Sequence, residues 1–158
     1  MRWSTKKQKI KIGIISDTHN VLKDEVIDKL KGCDYILHAG DVTKKHIYDR
    51  ICHLDKPFYL VRGNSDRDTW SNQIPSRQLF TIGGLRFLMV HDRCNVGNLY
   101  KQVDIIIFGH THRFTEEIMN GRLWLNPGSC GRPRFGNQTS MVIMELCNKK
   151  YTINKIEV

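Results

Sequence analysis

Five short apolar runs in this chain each lead into residues whose side chains commonly bind metals. The runs cover residues 10–15, 35–37, 58–61, 87–90 and 105–108. An apolar run of this length, bounded by glycine or polar residues, is typical of a buried β-strand. The residues after the runs are two aspartates, one asparagine and four histidines: Asp17, His19, Asp41, Asn64, His91, His110 and His112. Because open α/β sheets form binding sites at the carboxyl ends of their strands, we expect these side chains to meet in one crevice.

The first third of the chain alternates between strand and helix patterns. Strand patterns over 10–16, 35–39 and 58–62 are separated by helical patterns over 23–31 and 43–54. We expect Thr43 to be the N-cap of the second helix, since threonine is a favoured residue there. Such a β-α-β-α-β series predicts a parallel sheet with right-handed crossovers.

The remainder of the chain is dominated by hairpin signals. Gly83-Gly84 separates apolar runs over 78–82 and 85–90, and Asn120-Gly121 separates runs over 114–119 and 122–125. A short helix near 96–102 precedes a strand over 104–108, and a last hairpin spans 139–147 and 150–157. The patterns therefore predict an α/β fold in which two mixed sheets pack face to face with helices outside.

Length and cysteine usage predict one cytoplasmic domain. We expect a single domain over residues 1–158, with residues 1–9 as a basic N-terminal extension. The sequence has neither the roughly 18-residue apolar stretch of a membrane span nor a signal-peptide pattern, so no membrane partner is expected. The five cysteines are odd in number and scattered, which is typical of reduced thiols.

The chain is basic, with 25 Lys plus Arg against 16 Asp plus Glu and a net charge of +9. Such an excess attracts phosphate-bearing molecules. Much of it is dispersed between the two chain ends, and no nucleic-acid-binding motif is present. Nucleic acid is therefore not expected as a specific partner. The charge is interpreted as a solvated basic surface, which would in addition steer phosphates.

The donor types suit two divalent cations. Asp17 and His19 lie two residues apart, and in extended backbone their side chains would point the same way. Asp41 has two carboxylate oxygens that could bridge two cations, and Asn64 offers a neutral oxygen. Two divalent ions and two carboxylates leave a net charge of about +2, which suits a phosphoester and a metal-bridging hydroxide as nucleophile. No serine or cysteine nucleophile is then required.

The ordered blocks D-x-H, G-D, G-N-x-D, H and G-H-x-H resemble the calcineurin-like metallophosphoesterase superfamily. The sequence N-P-G-S over 126–129 and the short G-N-S-D block are similar to its small YfcE-type bacterial and archaeal phosphodiesterase branch. The resemblance spans about residues 10–146 and implies a four-layer α/β/β/α sandwich. It also implies a dinuclear-metal-dependent phosphodiesterase, a hydrolase whose catalytic residues include Asp41, Asn64 and His91.

The resemblance further implies how the metal ligands divide. One ion would be held by Asp17, His19, Asp41 and His112. The second would be held by Asp41, Asn64, His91 and His110. Mn²⁺ is the expected ion, with Ni²⁺, Fe and Zn²⁺ as alternatives, because mixed N/O ligand sets suit all of them.

Two functions are compatible with this resemblance. The favoured one is hydrolysis of a small phosphodiester substrate. The sequence leaves open whether the chain forms a homo-oligomer. The alternative is a catalytically weak or inactive protein-interaction scaffold, since a retromer subunit has a similar fold. Retention of all seven ligand types favours the enzyme.

Two departures from the family pattern bear on mechanism. Many relatives have a histidine where this chain has Ser65, and that histidine helps to stabilise the transition state or to protonate the leaving group. Small relatives often have a cysteine at this position. We therefore expect substrates with acidic leaving groups, or diesters whose leaving oxygen is helped in another way, to react best. Relatives also commonly read H-G-H where this chain reads His91-Asp92-Arg93. Arg93 is interpreted as a surface salt-bridge residue, with substrate phosphate as the alternative.

Several neighbouring residues have open roles. His38 is expected to pack or to hydrogen-bond behind the site. Asp66 is either an orienting partner of a ligand or a carboxylate that caps a loop. The segment 126–129 lines the site or is a plain turn, and Arg132 and Arg134 are weak candidates for phosphate contact.

Overall fold

The computed structural model describes residues 9–134 and 136–158. The predicted basic extension over residues 1–9 therefore lies outside the described residues, apart from Lys9, which is exposed.

The described residues form ten strands, two α-helices and three 3₁₀ helices. The strands are β1 (Ile10–Ile15), β2 (Tyr35–His38), β3 (Phe58–Leu60), β4 (Arg77–Ile82), β5 (Leu85–Val90), β6 (Ile105–Ile107), β7 (Thr115–Met119), β8 (Arg122–Asn126), β9 (Ser140–Cys147) and β10 (Lys150–Glu157). The α-helices are α1 (Asp24–Lys31) and α2 (Lys45–Cys52). The 3₁₀ helices are Thr69–Gln73, Arg93–Asn95 and Gly97–Gln102. None of these helices is long and apolar enough to cross a bilayer.

The strands form two mixed five-stranded sheets, which confirms the predicted fold class. The first has the order β10-β9-β1-β2-β3, in which β1, β2 and β3 are parallel and β9 runs antiparallel to β1. The second has the order β4-β5-β6-β8-β7, with β5, β6 and β8 parallel and both edge strands antiparallel. The three predicted hairpins are present. At the β7–β8 turn Asn120 and Gly121 have φ of 53° and 74°, the left-handed pair that a tight hairpin requires.

Three apolar layers hold the sheets and helices together. Between the sheets, side chains such as Ile12 and Ile14 of β1 meet Phe87 and Met89 of β5. Each fully buried side chain of this size contributes roughly 1.5–3 kcal/mol. A second cluster joins the outer face of the first sheet to α1 and α2. The third cluster covers the outer face of the second sheet, where the flanking layer consists of 3₁₀ rather than α-helical turns.

The second α-helix begins later than predicted. It starts at Lys45, and its N-cap residue Lys44 makes no side-chain cap hydrogen bond. The prediction that Thr43 caps this helix is wrong. Thr43 has φ of 72°, and its backbone N–H donates to the Asp66 carboxylate at 2.8 Å. A contact between distant loops therefore determines where this helix begins.

Candidate metal centre

The seven predicted site residues lie together at the carboxyl ends of strands from both sheets. Asp17 and His19 follow β1, Asp41 follows β2 and Asn64 follows β3. The second sheet contributes one histidine after β5 and two after β6, namely His91, His110 and His112. The site therefore lies where the two sheets meet, and each sheet supplies part of it.

Asp41 lies at the centre of this group. Its Oδ2 is 3.3 Å from His19 Nε2 and 3.2 Å from His91 Nε2. Its other oxygen, Oδ1, accepts a 2.8 Å hydrogen bond from the Ser65 backbone N–H. We expected the two carboxylate oxygens to serve two cations. In the structure a single oxygen faces both donor groups, and the second oxygen fixes the carboxylate.

Asp17 is held in a similar way. Its Oδ1 is 3.3 Å from His112 Nε2 and 3.6 Å from His19 Nε2. Its Oδ2 accepts hydrogen bonds from the Ser16 hydroxyl at 2.6 Å and from the His110 backbone N–H at 3.0 Å. One oxygen is thus anchored and the other points at two imidazoles.

The other donor group is built around Asn64. Its Oδ1 is 2.9 Å from His91 Nε2 and 3.2 Å from His110 Nδ1. His91 Nδ1 lies 2.7 Å from the Ala39 carbonyl oxygen, to which it donates. That hydrogen bond orients the imidazole so that Nε2 faces Asn64 and Asp41, and Nε2 is therefore the nitrogen available to a cation.

The described donor atoms fit divalent cations. Donor atoms of Asp17, His19 and His112 all lie within 4.8 Å of one another, as do those of Asp17, Asp41 and His91. Asp17 Oδ1 and His19 Nε2 are buried without a hydrogen-bond partner. Buried polar atoms are normally satisfied, so two that converge on one small space indicate a site for a cation. The nitrogen and oxygen donors suit Mn²⁺, Fe, Ni²⁺ and Zn²⁺.

The electrostatics of the centre favour positive charge. Burial alone would raise the pKa of Asp17, but its ion-pair contacts with His112 and His19 outweigh it and lower that pKa. The pKa of Asp41 is lowered in the same manner, with burial opposed by its contacts to His19 and His91. The nearby carboxylates of Asp17 and Asp41 raise the pKa of His19 to about 9. The two ionised carboxylates therefore attract either protons or metal ions.

The loops that carry the donors have unusual backbone. Five of the seven residues have positive φ: Asp17, His19, Asp41, His110 and His112. The expectation of extended backbone for Asp17 and His19 is therefore wrong. Such conformations cost of order 1 kcal/mol or more per residue, and they cluster at functional sites because the surrounding structure holds them in place.

Gly63 shows how closely these loops approach each other. A Cβ on this residue would lie 2.1 Å from Asp41 Oδ1, closer than any side chain could be accommodated. Its backbone N–H donates to Asp66 at 2.8 Å. The glycine of the G-N-S-D block is therefore required by contact with Asp41.

Asp66 joins the two loops that carry Asp41 and Asn64. It is buried, and its Oδ2 accepts from the N–H groups of Asp41 at 3.0 Å and Gly63 at 2.8 Å. Its Oδ1 accepts from Thr43. Asp66 therefore has both of the roles that the sequence left open. Its carboxylate caps the loops, and it also orients the backbone of Asp41, a proposed ligand.

His38 lies fully buried behind the centre. Its Nδ1 accepts from the Gly40 N–H at 3.1 Å, and its Nε2 is 3.2 Å from the Thr18 hydroxyl. Burial lowers the pKa of His38 to about 4, so the ring is neutral with its proton on Nε2. The expected hydrogen-bonding role is present, and it ties the end of β2 to the loop that carries Asp17 and His19.

The segment 126–129 supports two donor loops, so it is more than a plain turn. Asn126 Nδ2 donates to the Gly109 carbonyl at 3.0 Å and to the Thr111 hydroxyl at 3.1 Å. The Ser129 hydroxyl donates to the Asp17 carbonyl at 2.8 Å. The sequence suggested that this segment lies near the site. Its hydrogen-bond partners Gly109, Thr111 and Asp17 are distant in sequence, so the local sequence pattern could not predict them.

Arg93 belongs to the outer apolar layer. Its guanidinium is 3.5 Å from Glu117 Oε1 and lies over the rings of Phe108 and Trp124, 4.9 and 5.2 Å from their centroids. The salt-bridge interpretation is therefore confirmed. Arg132 and Arg134, by contrast, line a cavity together with His19 and His112.

Two mixed sheets, with these donors at the strand ends between them, define a metal-dependent hydrolase of the metallophosphoesterase class. The family model described as the calcineurin-like phosphoesterase superfamily domain matches residues 10–149. The chain belongs to this superfamily.

Relatives of similar length have the same designation. A probable metallophosphoesterase of Methanothermobacter thermautotrophicus is 32% identical over 146 residues, covering 84% of each chain. One of Methanocaldococcus jannaschii is 36% identical over 138 residues, covering 78% of this chain and 69% of the relative.

Solved structures share the fold at lower identity. A structure described as a novel archaeal phosphodiesterase has a TM-score of 0.77 and 24% identity, covering 93% of this chain and 100% of the other. Vacuolar protein sorting 29 from Cryptosporidium parvum also has a TM-score of 0.77, with 20% identity and coverage of 95% and 98%. These likenesses show the fold alone.

Proposed function

We propose that this protein is a dinuclear-metal-dependent phosphodiesterase. The observation that carries the proposal is the position of Asp41 Oδ2, 3.3 Å from His19 Nε2 and 3.2 Å from His91 Nε2. An oxygen between two donor groups is suited to join two ions. The first ion would be held by Asp17, His19, Asp41 and His112. The second would be held by Asp41, Asn64, His91 and His110. Mn²⁺ is the favoured ion, and Ni²⁺, Fe and Zn²⁺ are alternatives.

The chemistry divides between the ions and the chain. Two divalent ions, when bound, would act as Lewis acids on the phosphoryl group and lower the pKa of water to near 7. Asp41, Asn64 and His91 would fix the ions and the substrate phosphate relative to each other. The His91 proton on Nδ1 is held by the Ala39 carbonyl, so this ring is not a proton donor to the leaving group. Ser65 offers no acidic proton either, so we expect leaving groups that are themselves acidic to depart fastest.

Two cavities beside the donors support a diester as substrate. His19 and His112 border a cavity of about 440 Å³, and Asn64, His91 and His110 border another of about 280 Å³. A phosphodiester has two substituents on phosphorus, whereas a monoester has one. A diester bound across the centre would extend one substituent into each cavity.

One observation favours the scaffold alternative. Several vacuolar protein sorting 29 (Vps29) proteins, whose name refers to protein sorting and not to hydrolysis, share the fold. One of them, from Entamoeba histolytica, is described as complexed with Zn²⁺. Metal binding alone therefore does not distinguish an enzyme from a scaffold. Retention of all seven donor residues favours the enzyme, and turnover is the property that decides.

The test is hydrolysis by protein that has been stripped with a chelator and reconstituted with Mn²⁺, Ni²⁺, Fe²⁺ or Zn²⁺. We expect bis(p-nitrophenyl) phosphate to be hydrolysed with higher kcat/KM than p-nitrophenyl phosphate. Asn64→Ala should reduce the rate at least 100-fold, because it removes a donor from one ion. Metal binding without hydrolysis of either ester would support the scaffold. Faster hydrolysis of the monoester would overturn the diester assignment.

Two further assignments belong to this proposal. We propose that the chain forms one domain, which is supported by the core that both sheets share. We also propose a cytoplasmic location, which is supported by five cysteines that form no disulfide.

A further inference from the structure

The cavity bordered by His19 and His112 is lined by two arginines. It has a volume of about 440 Å³, and we call it the cationic cavity. Its lining residues are His19, Asn20, His112, Arg132, Pro133 and Arg134. Two guanidinium groups and two imidazoles thus border it, and none of these described lining residues carries a carboxylate. A cavity of this composition attracts anions.

The backbone that carries Arg132 is fixed against the donor loop. The Ser129 hydroxyl donates to the Asp17 carbonyl at 2.8 Å, and the Cys130 N–H donates to the Ser16 carbonyl at 3.2 Å. A Cβ on Gly131 would lie 2.1 Å from the Thr18 carbonyl oxygen, so these two backbones are in direct contact. Arg132 therefore extends from a rigid base next to His19, and a rigid base lowers the cost of binding.

The other cavity beside the centre is different. Its lining includes Arg62, but also Asp92, whose carboxylate balances that charge. The Asp92 carboxylate is 3.9 Å from His110 Nε2. The two cavities are therefore unequal, because one is lined by both an arginine and an aspartate, whereas the described lining of the other contains two arginines and no carboxylate. Arg132, in the cationic cavity, takes part in none of the ion pairs among the described residues, so its guanidinium is available to an anion.

We propose that the cationic cavity binds a second phosphate group, carried on one ester substituent of the substrate. The substrate class would then be small phosphodiesters with an additional phosphate, such as phosphorylated nucleotide esters. Arginine is well suited to this role, since its planar guanidinium can donate two parallel hydrogen bonds to a phosphate. The identity of the reaction rests on the proposed function, but the binding of the second phosphate does not require turnover.

Binding is therefore the measurement. Titration calorimetry on Mn²⁺-reconstituted protein compares thymidine 5′-phosphate with thymidine 3′,5′-bisphosphate, which differ by one phosphate. We expect the bisphosphate to bind about tenfold more tightly, as for one added charge-assisted contact. In Arg132→Gln and Arg134→Gln variants this advantage should shrink, and in the double variant it should fall below about twofold.

Arg86→Gln is the matched control. It removes the same charge from an exposed residue of β5, about 16 Å along the strand from His91. The advantage of the bisphosphate should be unchanged in this variant. Unaltered thermal unfolding of all four variants would show that they are folded.

Equal affinity of the wild-type protein for the two nucleotides would overturn the inference. An advantage that survives in the double variant, or that falls equally in Arg86→Gln, would also overturn it, because the preference would then come from overall charge. A protein that hydrolyses no ester, yet shows the arginine-dependent preference, would contradict the proposed activity and leave this inference standing.

Discussion

At the scale of single residues, the carboxylate of Asp66 fixes the backbone of Asp41 and is not itself one of the proposed metal ligands. Each of its three hydrogen bonds comes from a backbone N–H of a loop that carries a proposed ligand or adjoins one. Because backbone donors have no rotamers, the geometry they impose is rigid. Asp66 therefore holds Asp41 close to Asn64.

The first prediction concerns Asp66→Asn. An amide has one acceptor oxygen and an NH₂ group, so at least one of the three N–H groups would face another donor. We expect a loss of about 1–3 kcal/mol in the free energy of unfolding, measured with urea, and weaker binding of Mn²⁺. Asp68→Asn is the control, since Asp68 is exposed and its side chain makes no cap hydrogen bond. Equal stability of the two variants would contradict this role.

The second prediction concerns Ser65, whose backbone N–H donates to Asp41. Its side chain replaces the histidine that assists the leaving group in many relatives. We expect rates on aryl phosphodiesters to fall steeply as the pKa of the leaving phenol rises. The Ser65→His variant should show a shallower dependence, because an imidazolium could protonate the departing oxygen. A flat dependence in the wild-type protein, with chemistry rate-limiting, would contradict this interpretation.

At the scale of elements, the strands were predictable and the loops between them were not. Apolar runs and turn residues predicted the hairpins and the parallel β1-β2-β3 unit, because both signals are local. The positive φ values of Asp17 and of Thr43 accompany hydrogen bonds to Gly40, in the loop after β2, and to Asp66, and both partners lie far away in sequence. The seven proposed donors could be placed at one edge of the sheets because they follow the strands closely in sequence.

The end of β2 leads to a third prediction, which concerns pH. His38 is neutral in the folded protein, where its pKa is about 4, and its ordinary pKa is 6.5. Between these values the unfolded chain binds a proton that the folded protein does not. Stability should therefore fall as the pH decreases from 6.5 to 4, by up to about 1.4 kcal/mol per pH unit.

The variant His38→Gln removes this titration. Urea unfolding at several pH values should give a shallower dependence between pH 6.5 and 4 for the variant than for the wild-type protein. The difference between the two proteins cancels the contributions of other groups to a first approximation. Parallel curves would show that His38 does not titrate in this way.

At the scale of the whole molecule, the donor set links the two sheets. Asp17, His19, Asp41 and Asn64 follow strands of the first sheet, whereas His91, His110 and His112 follow strands of the second. A cation held by donors from both sheets would cross-link them at the carboxyl ends of these strands. Metal binding should then stabilise the entire fold and not only the loops, since separation of the sheets would break the site.

The last prediction follows from this link. A ligand present at 100 times its dissociation constant stabilises the folded state by about 2.7 kcal/mol, which for a chain of this size raises Tm by roughly 5–10 °C. We expect Mn²⁺ to produce a rise of this order at pH 8. The rise should shrink as the pH is lowered, because protons compete for His19, whose pKa is raised to about 9 by the same carboxylates. Asp41→Asn should lose most of the effect, whereas Arg86→Gln should retain it. A rise in Tm that is equal in both variants would mean that the ion stabilises the protein from elsewhere, and that Asp41 does not join the two halves of the centre.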